Sequence, residues 1–217
     1  MSPPTSAEER HAMVEALHLP RGAIERAMRT VPREAFVPEE ARSIAYEDAP
    51  VPLGTGESTA WAPHMVAILL TTLDPQPGER ILEVGGGMGY LAALLAELVT
   101  PGGQVHAIEL EPALVAEARR RLAALGYAPS VVVHAGDGSV GLPAEAPFDG
   151  IVVSCATPEI LGAWKDQLTP RGRIVAPVGT AREQQLVRYR NEGGTPTIER
   201  GPRVRFVPLR GRSTPHI

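Results

Sequence analysis

The feature that most constrains this chain is the run Arg80-Ile81-Leu82-Glu83-Val84, followed at once by Gly85-Gly86-Gly87-Met88-Gly89. A short apolar run bounded by glycine reads as a buried parallel strand, and the turn after it lets backbone amides approach a ligand at the N-terminus of the next helix. The glycines at 85, 87 and 89 are spaced G-x-G-x-G, and Tyr90 stands where a dinucleotide fingerprint needs its last glycine. NAD and FAD are thereby disfavoured. The lysine and hydroxyl pair of a phosphate-cradling loop is absent as well, which disfavours a nucleoside triphosphate. Glu109 ends the next expected strand about 20 residues after Gly89, the spacing at which an acid accepts hydrogen bonds from ribose hydroxyls. The ligand is expected to contain a ribose.

From residue 80 onward, apolar runs and amphipathic stretches alternate. Strands are expected near 80–84, 104–109, 130–134, 148–154, 172–178, 184–190 and 203–208, with helices near 88–99, 111–125 and 158–167. This alternation predicts an α/β fold with a doubly wound, mostly parallel sheet and a ligand crevice at the carboxyl ends of its first strands. The preceding residues read differently. Two short helices are expected within 6–30, interrupted at Leu19-Pro20-Arg21-Gly22. Prolines at 32, 38, 50 and 52 and glycines at 54 and 56 make 31–56 an irregular cradle, with room for a helix over 38–45. Pro63 opens a further helix through Leu70. The expected division is a small N-terminal helical and substrate-cradle subdomain, 1–74, and a ligand-binding domain, 75–217.

Composition narrows the function classes. The 217 residues are 43% hydrophobic, enough for a full core. The formal net charge of -4 and the lack of a long basic run argue against nucleic acid as a partner. No stretch approaches the roughly 20 apolar residues that span a bilayer, so no membrane partner is expected. Cys155 is the only cysteine, which excludes an internal disulfide and fits a reducing, cytoplasmic setting. A monomer is expected. Among the six histidines no pair shows the i, i+4 spacing of a helical metal site, so no metal is expected, and His106 and His134 read as packed strand residues. Cys155 lies just past a strand with no base to activate it and reads as a small buried residue. Arg119-Arg120-Arg121 reads as a solvated helix face.

Glu83 two residues before the first glycine, the G-x-G-x-G turn, Glu109, and Gly136-Asp137-Gly138 after the third strand together resemble the S-adenosylmethionine site of Rossmann-like class I methyltransferases. Asp137 is positioned there to accept from an adenine amino group. Several further stretches are similar to the protein-L-isoaspartate O-methyltransferase family in particular: Ala27-Met28-Arg29-Thr30-Val31-Pro32-Arg33-Glu34-Ala35-Phe36-Val37-Pro38, Ala45-Tyr46-Glu47-Asp48-Ala49-Pro50-Val51-Pro52-Leu53-Gly54, Ala62-Pro63-His64-Met65-Val66-Ala67, Ala146-Pro147-Phe148-Asp149 and Val204-Arg205-Phe206-Val207-Pro208-Leu209. The resemblance runs from about residue 10 to 210.

It implies carboxyl methylation of L-isoaspartyl residues in proteins or peptides, with S-adenosyl-L-methionine as cofactor, and a sheet whose last two strands are ordered differently from most class I methyltransferases. Carried over residue by residue, His64, Glu83, Gly85, Gly87, Gly89, Glu109, Asp137 and Gly138 are the expected cofactor residues. The 46–56 and 58–61 segments and part of the C-terminal strand are expected to form the peptide cleft. One departure concerns the family's active-site serine, which follows an approximate Gly-Gln-Thr-Ile pattern. Counted back from Pro63, Trp61 replaces it; counted forward from Gly54 and Gly56, one residue is inserted and Ser58 or Thr59 supplies the hydroxyl. Ser58, Thr59 and Trp61 are therefore the candidate catalytic residues. The departure also motivates two alternatives: a relative that esterifies an ordinary aspartate of one dedicated ribosomal peptide, leading to aspartimide, and a non-catalytic relative that only binds the cofactor.

Overall fold

The computed structural model describes residues 5–54, 58–192 and 195–211. Two short helices open the described chain, α1 (Ser6–Ala16) and α2 (Ala23–Thr30). Thr5 caps α1 through a reciprocal pair with Glu8, which satisfies backbone N–H groups that a helix start leaves free. The proline-rich stretch that follows forms 3-10 turns over Arg33–Phe36 and Glu39–Ile44, then a small antiparallel ribbon of β1 (Val51–Pro52) and β2 (Thr59–Ala60). The helix expected over 38–45 is instead a 3-10 turn over Glu39–Ile44. α3 (Pro63–Leu73) begins on the proline, where a missing N–H costs nothing.

Among the described residues the main sheet has seven strands: β3 (Arg80–Val84), β4 (Gln104–Glu109), β5 (Val131–Ala135), β6 (Phe148–Val153), β7 (Leu168–Gly179), β8 (Gln184–Glu192) and β9 (Thr195–Val204). Their spatial order is β5-β4-β3-β6-β7-β8-β9, with the first five parallel and the last two antiparallel. The final strands follow one another as consecutive hairpins, the unusual order that the resemblance implied. The chain reverses direction across the sheet between β3 and β6, and a crevice opens at such a point on the carboxyl side.

Side-chain alternation divides the core in two. Ile81, Val105, Val152 and Val175 face α3, α4 (Tyr90–Val99) and α5 (Pro112–Ala124), with α1 and α2 stacked outside them in the same cluster. Leu82, Val84, Ile108, Ile151, Val153 and Ile174 face the opposite side, where Trp164 of the one-turn helix α6 (Gly162–Lys165) is fully buried. A longer helix was expected over 158–167. Only its centre forms, because the Thr157 hydroxyl turns to the Glu159 carbonyl and competes with a helix start. The strand expected over 203–208 is also displaced: the edge strand is β9, and residues 205–209 continue as an extended crossing that bridges Ala156 through Pro208.

Arginines tie the irregular segments to this frame. Arg33 is fully buried and donates to the carbonyls of Ala45 (2.7 Å) and Trp61 (2.6 Å). Arg121, expected on a solvated face, is buried and donates to the carbonyls of Ala35 and Val37. Arg173 of β7 donates to the carbonyls of Leu73, Asp74 and Asp149 and forks onto both Glu79 carboxylate oxygens at 2.7 and 2.6 Å. This pair, with Arg173 buried and Glu79 partly exposed, locks the end of α3 and its following turn to the sheet. Breaking a fully buried pair costs about 3–5 kcal/mol, and the exposure of Glu79 puts this one at the lower end, about 3 kcal/mol. Arg173→Met is expected to lower unfolding stability by about that amount in a denaturant titration while leaving cofactor affinity within about twofold, because the fork lies at the amino end of the sheet, away from the glycine turn.

Candidate active site

The turn after β3 and the ends of β4, β5 and β6 enclose a cavity of about 380 Å³. Gly85 enters it with φ +86°, a conformation that disfavours any side chain, and a Cβ there would stand 3.1 Å from Ser154 and Cys155. Gly87 donates its N–H to Glu109 Oε2 at 2.9 Å, and Glu111 donates to Glu109 Oε1 at the same distance. The carboxylate at the end of β4 thereby fixes the height of the glycine turn. Gly89, at the N-terminus of α4, packs against Leu122 and Ala118 instead of facing the cavity. Gly138 lines the cavity and approaches Val84 so closely that a Cβ would stand 2.6 Å from it, and its carbonyl accepts the Trp164 indole N–H at 2.9 Å. Asp137 accepts from the Ser139 N–H at 2.9 Å and lies against Gly211.

Glu83 sits below the turn, 2% exposed, in the small recess that extends the cavity toward Tyr90 and Trp61. Among the described residues its Oε2 is buried without a hydrogen-bond partner, and so is the Ser154 hydroxyl nearby. Burial, with the Glu109 charge added, pushes the Glu83 pKa well above the usual carboxylate range. A buried acceptor with nothing to accept from is costly until a donor arrives. The arrangement therefore fits a ligand that carries a cationic donor, such as an α-ammonium, with hydroxyls reaching toward Glu109. Cys155 borders the same cavity, but burial pushes its thiol up to about 12, so it stays protonated and is no nucleophile.

Ser58, Thr59 and Trp61 border the cavity from the ribbon side. The Ser58 carbonyl accepts from Leu53, and Thr59 pairs with Pro52 across the ribbon. Residues 55–57, which include part of the expected cleft, lie outside the described residues. Trp61 packs edge-on against Phe206, ring centroids 4.8 Å apart, while its carbonyl is held by Arg33. On its other flank is an open groove of about 790 Å³ lined in part by Asp48, His64, Arg203, Arg205 and Phe206. His64 lies in this groove, its ring Nδ1 2.9 Å from Asp48 Oδ1, and is not among the residues around the glycine turn. Of the other residues that line the cavity, Leu53 lies in the cleft segment expected over 46–56, and Val207 and Pro208 lie in the C-terminal strand expected near 203–208, whereas Ser154 and Arg210 were given no role in the site. Ser154 was findable, since it ends a strand neighbouring β3. Arg210 was not, because its position depends on the path the chain takes after β9.

The pattern of the Protein-L-isoaspartate(D-aspartate) O-methyltransferase family matches residues 9–214. The chain belongs to this family. It is 46% identical over 209 residues to a protein-L-isoaspartate O-methyltransferase of Roseiflexus sp. (strain RS-1), covering 94% of this chain and 93% of that one. A solved protein-L-isoaspartate O-methyltransferase superposes with a TM-score of 0.83 at 27% identity, covering 94% of this chain and 66% of the other. A Plasmodium falciparum structure in complex with S-adenosyl-L-homocysteine superposes at 0.81 and 24% identity over 93% of this chain and 98% of its own, a likeness of fold. This family member is an S-adenosylmethionine-dependent protein carboxyl methyltransferase, which agrees with the donor that the Glu83 recess lacks.

The raised Glu83 pKa carries a stability consequence. A carboxyl whose folded pKa lies above its unfolded value contributes stability at low pH that is lost as pH rises through the folded pKa. Without cofactor, Glu83→Gln is therefore expected to melt above the native protein at pH 8, with the gap shrinking toward pH 4.5. Melting curves of both proteins across that range check this, and a variant that melts lower at pH 8 contradicts it.

Proposed function

We propose that the protein transfers the methyl group of S-adenosylmethionine to the free α-carboxylate of L-isoaspartyl residues, with residues 75–217 holding the cofactor and residues 1–74 forming the peptide cradle. One observation carries this reading: Trp61 borders both the cavity at the glycine turn and the open groove beyond it. A donor held in the first and a peptide carboxylate entering from the second meet at that side chain.

In this reading Glu83 accepts from the cofactor's α-ammonium, Gly85 and Gly87 present backbone to its amino-acid portion, Glu109 takes the ribose hydroxyls, and Asp137 with Gly138 borders the adenine. Gly89 acts through the close packing of α4. His64, paired with Asp48, is assigned to the groove mouth and contacts the cofactor only through the segment it shares with Trp61. When bound, the cofactor supplies a sulfonium-activated methyl group. The accepting carboxylate is already ionised near neutral pH, so no general base is required. What the chain must do is align the carboxylate oxygen and keep water out, and such positioning is worth several kcal/mol. Ser58 and Thr59 are assigned as hydroxyl donors to the carboxylate, and Trp61 as the wall that sets its approach. The protein is further read as a cytoplasmic monomer acting on protein or peptide substrates, with neither nucleic acid nor membrane as a partner. The net charge of -4 supports the first exclusion, and no described helix is long and apolar enough to cross a membrane.

Two substitutions test the assignment. Glu109→Ala is expected to weaken cofactor binding by about 1.5–3 kcal/mol, the scale for a hydrogen bond to a charged group, as read by calorimetry. Unchanged affinity removes Glu109 from the ribose site. Trp61→Ser is expected to raise kcat/KM for isoaspartyl peptides with bulky neighbours relative to those with glycine neighbours. A uniform loss across both peptides, with a fall in Tm corresponding to less than the roughly 3–5 kcal/mol of a fully buried aromatic because Trp61 is partly buried, would instead make Trp61 a packing anchor only.

A further inference from the structure

On the face of the sheet opposite α4 and α5, away from the glycine turn, His106 of β4 and His134 of β5 meet across adjacent strands. Their rings lie within 21° of parallel, and His106 Nδ1 is 3.1 Å from His134 Nε2. Glu145, from the 3-10 turn Pro143–Glu145, places Oε2 4.0 Å from the same His106 nitrogen. The three ligand atoms all fall within 4.8 Å of one another. Nitrogens bound to one tetrahedral zinc at about 2.0–2.1 Å stand roughly 3.3 Å apart, so the histidine pair needs little movement to share an ion. Helical i, i+4 spacing could not reveal this pair, because the two residues are joined by strand register.

The surroundings orient these ligands. Gln104 Oε1 accepts from Arg80 Nη1 and lies 3.1 Å from His106 Nε2, which makes that ring nitrogen the donor and leaves the Nδ1 lone pair facing His134. Arg80 also donates to that same Glu145 Oε2 at 2.7 Å and to the Glu145 carbonyl, fixing the acid in place, so an ion would take this oxygen's remaining lone pair. A ring N–H engaged elsewhere and a carboxylate held by a neighbour are the outer contacts that metal ligands ordinarily have. The Arg80 guanidinium also repels a cation, so the site is weaker than an all-cysteine one. His106 is buried, while His134 and Glu145 are partly exposed, which leaves a way in from the β5 edge.

We propose that His106, His134 and Glu145 form a zinc-class metal site that clips the Pro143–Glu145 turn to β4 and β5. That turn closes the connection carrying Asp137 and Gly138, so an ion here steadies the far rim of the cavity without touching it.

The test is calorimetric titration of zinc chloride into tag-free, EDTA-treated protein, alongside His134→Ala, Glu145→Gln and His11→Ala/His18→Ala. The expected result is one zinc per chain, a Tm rise on the order of 5 °C at ten times Kd, at least tenfold weaker binding in His134→Ala and in Glu145→Gln, and no change in the His11/His18 variant. Absence of stoichiometric binding, or binding that survives both His134→Ala and Glu145→Gln, overturns the site. S-adenosylmethionine affinity measured on the same variants without zinc is expected to stay within about twofold of native, so the outcome is independent of the methyl-transfer reading.

Discussion

The rest of the site depends on the carboxylate of Glu109. It accepts the Gly87 N–H from one side and the Glu111 N–H from the other, so the glycine turn after β3 and the start of α5 are referred to one group at the end of β4. Parallel pairing of β3 with β4 in register, Val84 beside Ile108, puts that group beside the turn. The turn's height determines that Gly85 passes against Ser154 and Cys155 and that Glu83 lies beneath it without a partner. One acid is therefore hydrogen-bonded at the rim of the cavity, and a second is buried beneath the turn with an oxygen unpartnered among the described residues. These are the two groups to which the proposed function assigns the ribose hydroxyls and the α-ammonium.

The second constraint is the wall between cavity and groove. Trp61 cannot hold that position by itself on a ribbon of two-residue strands. Arg33 holds its carbonyl from below and Phe206 meets its ring from the C-terminal crossing, so residues nearly 150 positions apart in sequence define one partition. Arg121 fastens the segment that carries Arg33 to α5 through the Ala35 and Val37 carbonyls. The wall is thus braced by residues from both the N-terminal and the C-terminal parts of the chain.

Much of this was legible in the sequence wherever local pattern coincides with burial. The β3 run, the glycine turn and Glu109 announce themselves because a two-face buried strand must be apolar and a close backbone approach must be glycine. β9 was missed because it is an edge strand whose residues, Ile198 among them, are largely exposed, so it carries no apolar alternation. The apolar Val204 and Phe206 drew the expectation toward 203–208, but Phe206 is buried by a crossing over the sheet's end, not by a ladder. Arg121 read as solvated because helical position predicts exposure only until a loop packs on that face. The pairing of His106 with His134, and of Trp61 with Phe206, follows from strand register and long-range return of the chain, which spacing along the sequence does not encode.

The central claim is that the cofactor cavity and the groove beside Trp61 serve an isoaspartyl carboxylate. Its most direct test is methyl incorporation from labelled S-adenosylmethionine into three peptides identical except for one residue: isoaspartate, aspartate or asparagine. The account predicts methyl ester on the isoaspartyl peptide with saturable kinetics and at least a hundredfold lower kcat/KM on the other two. Equal or preferential methylation of the ordinary aspartyl peptide would contradict it.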